Sequence, residues 1–403
     1  MKNINIALYV TGGIAIYKVV DLMRSFIKKG ANVRVAMTES ATEFIKPLTF
    51  QVLSKNEVHT NTFYESDPNH LSHIDIADWA DFAIVAPATA NTIAKMSHGI
   101  ADNFVTSALL ATKVPIIVVP AMNTDMYENK ATQSNMKQLK NRAIKIIEPD
   151  TGFLAEGYEG KGRFPDQKRI MDEVEEFLIK KTKNLPLKGY KVLVSAGGTS
   201  ERIDPVRYIT NDSSGKTGYE IAKSAYQQGA EVQLVTTKDY SLPKSIKKIK
   251  VTSADEMYQE INQLFQEVDI LIMAAAVSDY KVAEPSQSKR KKGKNKEGLI
   301  IHLKENPDIL KSMAEKKEKQ FLVGFAAESE DLETYAKEKL IKKKLDMIVA
   351  NDISIKDSGF DADYNEVIIL TKNGGRYEIP RQSKKDIADS LIQKIITELG
   401  EKK

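Results

Sequence analysis

Short apolar runs alternate with amphipathic helical patterns along most of the chain. Ile4 to Val10 is an apolar run, a Thr-Gly-Gly turn follows it, and Ile14 to Lys29 carries a helical pattern that ends at Gly30. Asn32 to Met37 is the next apolar run. Strand, helix and strand in this order predict a βαβ unit with parallel strands. In such a unit, glycines after the first strand let the backbone approach a phosphate at the helix N-terminus.

The stretch from Ser72 to Asn91 combines an imidazole ring, an apolar strand and a loop of small residues. Phe82 to Ala86 predicts a strand that is covered on both faces and stops at Pro87. The small polar residues that follow lie where open α/β sheets bind ligands. His73, just upstream, is either part of that site or a surface histidine at the start of a helix.

The second half of the chain repeats the pattern of the first. Lys191 to Ser195 precedes another turn with two glycines, and GAEVQLVTT at 229–237 resembles GANVRVAMT at 30–38. A run of lysines followed by Pro186 marks a linker between the halves. The sequence therefore predicts an α/β fold class with two doubly wound Rossmann-like domains, at residues 1–184 and 185–403.

The composition of the chain excludes several kinds of catalytic group, metal site and partner. The chain has 403 residues, 42% of them hydrophobic, and no cysteine, which excludes disulfides, Cys-ligated metals and a thiol nucleophile. Its five histidines show no metal-binding spacing, so no metal site is predicted. The formal net charge of +4 is too small for a general nucleic-acid binder. Since no apolar segment approaches bilayer length, we expect a cytoplasmic protein without a membrane or nucleic-acid partner.

Three loops carry candidate ligand-binding groups. The glycine-rich segment Gly152 to Phe164, with Lys161 and Arg163, predicts a mobile flap, which is either a lid over an anionic ligand or an ordinary surface loop. Asp204 to Gly218 is either a phosphate cradle ahead of a helix or a capped surface loop. The basic run Lys289 to Lys296 is typical of a solvated loop, with nucleic acid as the alternative.

Taken in order, motifs in both halves resemble one known family. The first half carries GGIAIYK, SHIDIA, PATAN, PAMN and GKGR, and the second carries DPVRYITNDSSGKTG, AAAVSDY, NPDIL and VGFAAE. The chain resembles, over nearly its whole length, the bifunctional phosphopantothenoylcysteine decarboxylases and phosphopantothenate cysteine ligases of bacterial coenzyme A synthesis. Each motif alone is modest, but their order across two domains is specific.

The resemblance implies a function for each domain. The first is expected to be an FMN-dependent decarboxylase domain of the homo-oligomeric flavin-containing cysteine decarboxylase (HFCD) type. The second is expected to be a ligase in which CTP activates 4′-phosphopantothenate as an acyl-cytidylate and L-cysteine displaces CMP. Decarboxylation of the product then gives 4′-phosphopantetheine. FMN is the implied cofactor, with Mg²⁺ bound through the CTP phosphates, and the implied assembly is a dodecamer of flavin-domain trimers and ligase-domain dimers.

The same resemblance implies residue roles. His73 is the expected base near the reacting thiol, Asn123 holds the departing carboxylate, and Asn211 stabilises or resolves the acyl-cytidylate. The expected flavin contacts are Gly12, Gly13, Thr38, Ser40, Thr89 and Thr106. The expected CTP residues are Asp279, Lys289, Phe325, Lys339 and Lys343. The basic run departs slightly from the family motif, so Lys291 and Lys292 are alternatives to Lys289.

Glu156 is the largest departure from the family pattern. Well-known relatives have a cysteine there, which is implied to be the proton donor that completes the reductive step. A buried carboxyl group near an anion favours its protonated form, so we expect Glu156 to replace that thiol as the general acid. The alternative is a solvated flap residue, with the proton coming from another group or from water.

Two other classes of function fit part of the sequence. An oxidoreductase with two NAD-binding domains explains the folds but not the group of lysines in the second half. A flavin-binding regulatory subunit explains the first half and leaves the ligase motifs without a role. Bound flavin separates the first alternative from the enzyme reading, and CTP-dependent pyrophosphate release separates the second.

Overall fold

A computed structural model describes residues 1, 3–64, 71–181, 184–289, 300–328, 331–352 and 363–400. Contacts divide the chain into two units, Met1–Leu178 and Ile179–Lys403. The division falls inside the helix Gln167–Lys181. The domain boundary predicted at 184 and 185 lies just beyond the end of that helix and stays a prediction.

The first unit is an α/β domain. Its strands are β1 (Asn5–Val10), β2 (Asn32–Met37), β3 (Val58–His59), β4 (Phe82–Ala88), β5 (Ile116–Pro120), β6 (Lys145–Ile146), β7 (Asp150–Phe153) and β8 (Glu159–Arg163). The helices that begin in it are α1 (Ile16–Lys28), α2 (Glu39–Thr42), α3 (Pro47–Ser54), α4 (Ser72–Trp79), α5 (Ala90–His98), α6 (Phe104–Ala111), α7 (Thr124–Glu128), α8 (Lys130–Asn141) and α9 (Gln167–Lys181).

Six strands of this unit form one parallel sheet, in the order β3-β2-β1-β4-β5-β6. All of β4 is buried, and apolar clusters pack on both faces of the sheet, as its near-continuous apolar run predicts. The strand order reverses between β1 and β4, which makes their carboxyl ends the switch point of a doubly wound fold. The prediction that the strand stops at Pro87 was wrong. β4 runs on to Ala88, and the missing N–H of Pro87 falls at an irregularity in its pairing with β5.

The second unit repeats this architecture. Its strands are β9 (Lys191–Ala196), β10 (Ser200–Asp204), β11 (Arg207–Thr210), β12 (Glu231–Thr236), β13 (Lys247–Lys250), β14 (Ile270–Met273), β15 (Tyr280–Val282), β16 (Leu303–Glu305), β17 (Phe321–Glu328), β18 (Met347–Asp352), β19 (Tyr364–Thr371) and β20 (Arg376–Ser383). Its helices are α10 (Lys216–Gln227), α11 (Ala254–Leu264), α12 (Ile309–Glu315), α13 (Leu332–Lys342) and α14 (Lys384–Gly400), with a 3₁₀ turn at Phe265–Glu267.

The large sheet of the second unit has the order β13-β12-β9-β14-β17-β18-β19-β20. Its first six strands are parallel and follow the same order as the sheet of the first unit, so a second switch point lies between β9 and β14. The antiparallel pair β19–β20 confirms the hairpin predicted around Asn373-Gly374-Gly375. The segment from Asp204 to Gly218, predicted as a cradle or a capped loop, contains β11, which pairs with β10 in a small hairpin before α10.

Candidate active sites

The switch point of the first unit is held together by Thr11, which is fully buried. Its Oγ1 donates to the carbonyl of Pro87 at 2.5 Å and accepts from the backbone N–H of Thr89 at 3.0 Å. Thr89 in turn caps α5, where its hydroxyl accepts from Thr92 N at 3.3 Å. These bonds join the ends of β1 and β4, so the loop predicted to bind a ligand has a fixed shape.

Gly12 and Gly13, the two glycines predicted to contact the flavin, have different surroundings. A Cβ on Gly12 would lie 2.5 Å from the Cβ of Ser40, so packing against Ser40 already explains this glycine. A Cβ on Gly13 would meet only the side chains of Thr89 and Pro87, at 3.7 and 3.9 Å, which leaves room for a ligand. Ser40 is exposed, and Thr38 caps α2 by accepting from Ala41 N at 3.3 Å. The structure therefore brings five predicted flavin contacts, Gly12, Gly13, Thr38, Ser40 and Thr89, to one sheet edge.

Thr106, the sixth predicted flavin contact, belongs to the start of α6. It forms a capping box with Asn103 and is 3% exposed. Its hydroxyl accepts from the backbone N–H groups of Asp102 and Asn103 at 3.1 Å each. Capping therefore accounts for this hydroxyl without a flavin.

His73 is the second residue of α4 and is half-buried. Its ring packs edge-on against Phe104 at the start of α6, with 6.3 Å between the ring centroids. His73 Nδ1 is buried and has no hydrogen-bond partner among the residues that the structure describes. A buried ring nitrogen without a partner is unusual for a surface histidine and is typical of a group that meets a ligand.

Asn123 and Glu156, which are 33 residues apart in the sequence, meet in the structure. Asn123 caps α7, and its Nδ2 donates to Glu156 Oε1 at 3.2 Å and to the hydroxyl of Tyr158 at 2.6 Å. The segment predicted as a mobile flap is the antiparallel hairpin β7–β8, with Glu156 and Tyr158 in its turn. The hairpin therefore brings Glu156, predicted to stand at the family's cysteine position, to the amide predicted to hold the carboxylate. Glu156 is exposed, so the burial expected for it from the sequence is not found.

Gly162 seats this hairpin on the loop after β5. Its carbonyl accepts from Met122 N at 3.1 Å, and its φ of 150° lies outside the range that side chains favour. A Cβ at this position would overlap the carbonyl oxygen of Met122. The GKGR motif thus has a packing reason, because only glycine permits this contact.

Lys161 was predicted to bind an anionic ligand, but its charge is already paired. Its Nζ lies 3.3 Å from Glu148 Oε2 and 5.2 Å from the ring centroid of Tyr127, whose hydroxyl also bonds Glu148. Burial alone would raise the pKa of Glu148, yet bonds from Lys140, Tyr127 and Lys161 lower it to about 2. These contacts anchor β8, and the binding of an anionic ligand by Lys161 stays a prediction.

Arg163, the other predicted cation of the hairpin, is exposed and lies against Gly152 on the paired strand. It is close enough to Lys18 to affect that residue's titration. Burial lowers the pKa of Lys18, and the positive charge of Arg163 lowers it further. The negative charges of Asp150 and Asp166 raise it, so two carboxylates accompany this pair of cations.

The switch point of the second unit opens into a cavity of about 360 Å³. The predicted ligase residues that line it are Asn211, Asp279, Phe325, Lys339 and Lys343. They come from the loop before α10, the loop after β14, the strand β17 and the end of α13. Residues far apart in sequence thus converge on one cavity at the place where the fold predicts a ligand.

Asn211 is oriented by the loop after β14. Its Nδ2 donates to the carbonyls of Ala276 and Val277 at 3.3 and 3.2 Å. With both amide hydrogens directed at carbonyl groups, its carbonyl oxygen is the atom that remains for a ligand. Such an oxygen accepts hydrogen bonds and does not stabilise an anion, so this geometry does not support direct stabilisation of an anionic centre by the side chain.

Lys343 pairs with Asp308 at the other side of the cavity, with 2.8 Å between Nζ and Oδ2. Burial would raise the pKa of Asp308, but bonds from Lys343 and the backbone of Lys311 lower it overall. Lys339 lies one helical turn before Lys343 and lines the same wall. Two lysines on one face suit a ligand with several negative charges.

Lys289 does not line this cavity and is exposed. The alternatives Lys291 and Lys292 lie outside the described residues. The choice among the three lysines stays a prediction. Within the described residues, no group of three or more acidic or histidine side chains is arranged to hold a metal ion.

Comparisons with known proteins give the same two halves. The model of the Flavoprotein family matches residues 1–179, and the model of the DNA/pantothenate metabolism flavoprotein C-terminal domain matches residues 187–399. The coenzyme A biosynthesis bifunctional protein CoaBC of Bacillus subtilis is 45% identical over 397 residues, which cover 98% of this chain and 97% of that protein. The chain belongs to the CoaBC family.

Other CoaBC proteins are also similar to this chain. That of Escherichia coli K12 is 39% identical over 400 residues, covering 98% of both chains. A crystal structure of a CoaBC C-terminal domain is 38% identical, covers 54% of this chain and 100% of its own, and has a TM-score of 0.47. The predicted family and the predicted fold of two α/β domains are therefore confirmed. In the described part of this CoaBC chain, no helix has the length and apolarity needed to cross a bilayer.

Several residues of the CoaBC sites were missed from the sequence. Thr11 was seen only as part of a turn, and Tyr158 only as part of a glycine-rich segment. Asn351 was noted as a polar residue after a strand, but it lies within β18 and lines the cavity. Asn365 and Lys384 line the cavity too, and a lysine pair at a helix start gave no signal of burial.

Proposed function

We propose that the chain carries out two consecutive steps of coenzyme A synthesis. The second unit joins 4′-phosphopantothenate to L-cysteine at the expense of CTP, and the first unit decarboxylates the product to 4′-phosphopantetheine with FMN. The observation that carries the proposal is the convergence of five family ligase residues on one cavity at a switch point, in a chain that matches CoaBC proteins over 98% of its length.

In the ligase step, the end of α13 supplies positive charge for the triphosphate. Lys339 and Lys343 line one wall, and Lys343 can exchange its bond with Asp308 for one with a phosphate. Mg²⁺ is proposed to enter with CTP, bound through its phosphates. The Nδ2 bonds of Asn211 to the loop after β14 support a role in orienting the acyl-cytidylate or the incoming amine.

The residues around the first switch point suit a flavin mononucleotide. The open backbone at Gly13, the exposed hydroxyl of Ser40 and the start of α1, which has no side-chain cap, suit a phosphate group. When bound, FMN supplies the oxidation and reduction that give the departing carboxylate an electron sink. This proposal places His73 Nδ1, which is buried and has no partner among the described residues, at the reacting thiol.

The hairpin β7–β8 contributes the remaining groups. Asn123 Nδ2 is the proposed donor to the departing carboxylate, for which it would exchange its bond to Glu156 or its bond to Tyr158. Glu156 accepts the bond from Asn123 through Oε1, so its second carboxyl oxygen is left for a ligand. We propose that the second oxygen carries the proton for the final reduction. The homo-oligomer, expected as a dodecamer, and the cytoplasmic location stay predictions.

The experiment that tests this proposal separates the two units. Full-length His73→Asn is expected to keep its flavin absorbance, consume CTP and cysteine, and accumulate phosphopantothenoylcysteine. Loss of flavin together with decarboxylation would assign His73 a structural role. Absence of CTP-dependent pyrophosphate release from the unaltered chain would refute the ligase assignment.

A further inference from the structure

The cavity of the second unit borders both faces of the large sheet. Along β18, Met347 and Val349 pack in the core formed with α10 and α14, whereas Ile348 and Ala350 pack in the core formed with α12 and α13. Because side chains alternate along a strand, Asn351 lies on the face of α10 and α14. The cavity therefore has an α13 side, which carries Lys339 and Lys343, and an α14 side.

Three polar side chains that line the α14 side are at least nine-tenths buried. Asn351 is 8% exposed, Asn365 is 7% exposed and Lys384 is 5% exposed. Strand pairing places them at one sheet edge. Asn351 pairs with Val367, two residues from Asn365, and Lys384 N donates to the carbonyl of Asp363 at 3.0 Å.

Asn351 carries an unused acceptor. Its Oδ1 is buried and has no hydrogen-bond donor among the described residues. A buried acceptor without a donor destabilises the folded state, so native structures rarely keep one without a purpose. This oxygen therefore points to a ligand that brings an N–H or O–H group.

Lys384 adds a positively charged hydrogen-bond donor to the same wall, in contrast to the acceptor of Asn351. A lysine that is 5% exposed is rare unless it is paired, and its three N–H donors let it bond a ligand beside a partner within the protein. Its charge helps to lower the pKa of the exposed Asp363, although bonding to Lys216 is the larger cause. A cation and a buried acceptor that line the same cavity suit a ligand that has both an anionic and a donor group.

We propose that Asn351 and Lys384 bind the amino-acid substrate of the ligase, the zwitterion of cysteine. Lys384 pairs with its α-carboxylate, and Asn351 Oδ1 accepts from its α-amino group. This inference rests on the proposed ligase function and adds the site of the second substrate. The α13 side is left to CTP, so the two substrates enter from opposite sides of the sheet.

The site orients the amine for attack. The ammonium group loses one proton to become nucleophilic, and its nitrogen forms a bond to the acyl carbon of the acyl-cytidylate. The bond from that carbon to the phosphate oxygen breaks, CMP leaves with the electron pair, and the nitrogen loses a second proton as the amide forms. A hydrogen bond to Asn351 Oδ1 fixes one N–H and thereby the direction of the lone pair.

The first test uses full-length variants in the ligase assay. Lys384→Met and Asn351→Leu should each raise KM for cysteine at least about tenfold, the effect of losing one good polar contact. Their KM values for phosphopantothenate and CTP, and the pyrophosphate burst without cysteine, should stay unchanged. Lys385→Met is the matched control, because Lys385 is exposed and pairs with Asp389 one turn along α14. Lys384→Arg should restore part of the cysteine affinity.

The second test uses cysteamine, which lacks the carboxylate, as the acceptor for the unaltered chain and for Lys384→Met. The unaltered chain should prefer cysteine by at least about tenfold in kcat/KM, and the variant should nearly lose that preference. If the unaltered chain uses cysteine and cysteamine equally well, this result alone overturns the proposal. A rise in KM for phosphopantothenate in place of cysteine would assign the α14 side to that substrate and also overturn it. A chain that releases no pyrophosphate would instead refute the proposed function.

Discussion

The side-chain amide of Asn123 lies 3.2 Å from the carboxyl group of Glu156, and this bond joins the cap of α7 to the turn of the hairpin β7–β8. Glu156 stands where the resemblance to the family implies a cysteine, in a chain without any cysteine. The bond places this replacement beside a residue of the proposed carboxylate site. The side chain of Glu156 can therefore act on the product while the product is still bound at that site.

We predict that Glu156→Gln releases CO₂ at an undiminished rate but yields the unsaturated enethiol in place of the thiol. The amide keeps the bond to Asn123 in a rotated form but cannot donate an acidic proton. Rapid-quench mass spectrometry distinguishes the two products by two hydrogen atoms. Glu156→Cys should recover part of the thiol product. If Glu156→Gln makes thiol at the unaltered rate, the proton comes from another group.

A second prediction concerns Glu148, which holds Lys161 and Tyr127. Its folded pKa of about 2 lies below the ordinary value of 4.5, so its ionised form stabilises the folded state above that value and the gain is lost as the pH falls toward 2. The side chain is 37% exposed, so screening limits the effect to about 1 kcal/mol at neutral pH.

Glu148→Gln should therefore unfold at lower urea than the unaltered chain near neutral pH, and the difference should shrink at about pH 3. Fluorescence of Trp79, the single tryptophan, follows this unit. Glu128→Gln, an exposed change at the end of α7, serves as the control. Equal urea midpoints for Glu148→Gln and the unaltered chain at every pH would show that the cluster adds no stability.

The strands and the two-domain plan were predictable because they depend on local periodicity. Apolar runs of five to seven residues followed by small or polar residues repeat in both halves, and each marks a parallel strand of the structure. The end of β4 was misjudged because proline usually stops a strand. Here Pro87 stays in the strand at an irregularity of pairing, which depends on β5 and not on local sequence.

A third prediction addresses the α13 side of the ligase cavity. Lys343→Gln should raise KM for CTP at least about tenfold, because it removes one cation from the triphosphate wall. Steady-state pyrophosphate release measures this effect. Lys342→Gln is the control, since Lys342 is exposed and does not line the cavity. An unchanged KM for CTP in Lys343→Gln would show that the triphosphate binds elsewhere.

A fourth prediction concerns Asn211. Asn211→Asp should still release pyrophosphate but accumulate acyl-cytidylate, because a carboxylate cannot donate to the carbonyls of Ala276 and Val277 and would lose its orientation. Acid quench followed by mass spectrometry detects the intermediate. If the variant releases no pyrophosphate at all, Asn211 belongs to CTP binding.

The parts of the sites that sequence missed depend on long-range packing. The sequence predicts Lys161 as a ligand-binding cation but does not show that the fold places Glu148 and Tyr127 beside it. Nothing in the sequence singles out Lys384, yet the start of α14 buries it at the end of three neighbouring strands. Charge and glycine content identify the loops that carry function, but only tertiary contacts decide which charge is already paired.

The central claim is that one chain performs both steps, and it is tested most directly by isotope release. The purified full-length protein is given 4′-phosphopantothenate, CTP and cysteine labelled at the carboxyl carbon. The account predicts labelled CO₂ and 4′-phosphopantetheine in equal amounts, both dependent on CTP, with flavin absorbance in the purified protein. Release of labelled CO₂ without CTP, or pyrophosphate release that never leads to phosphopantetheine, would contradict it.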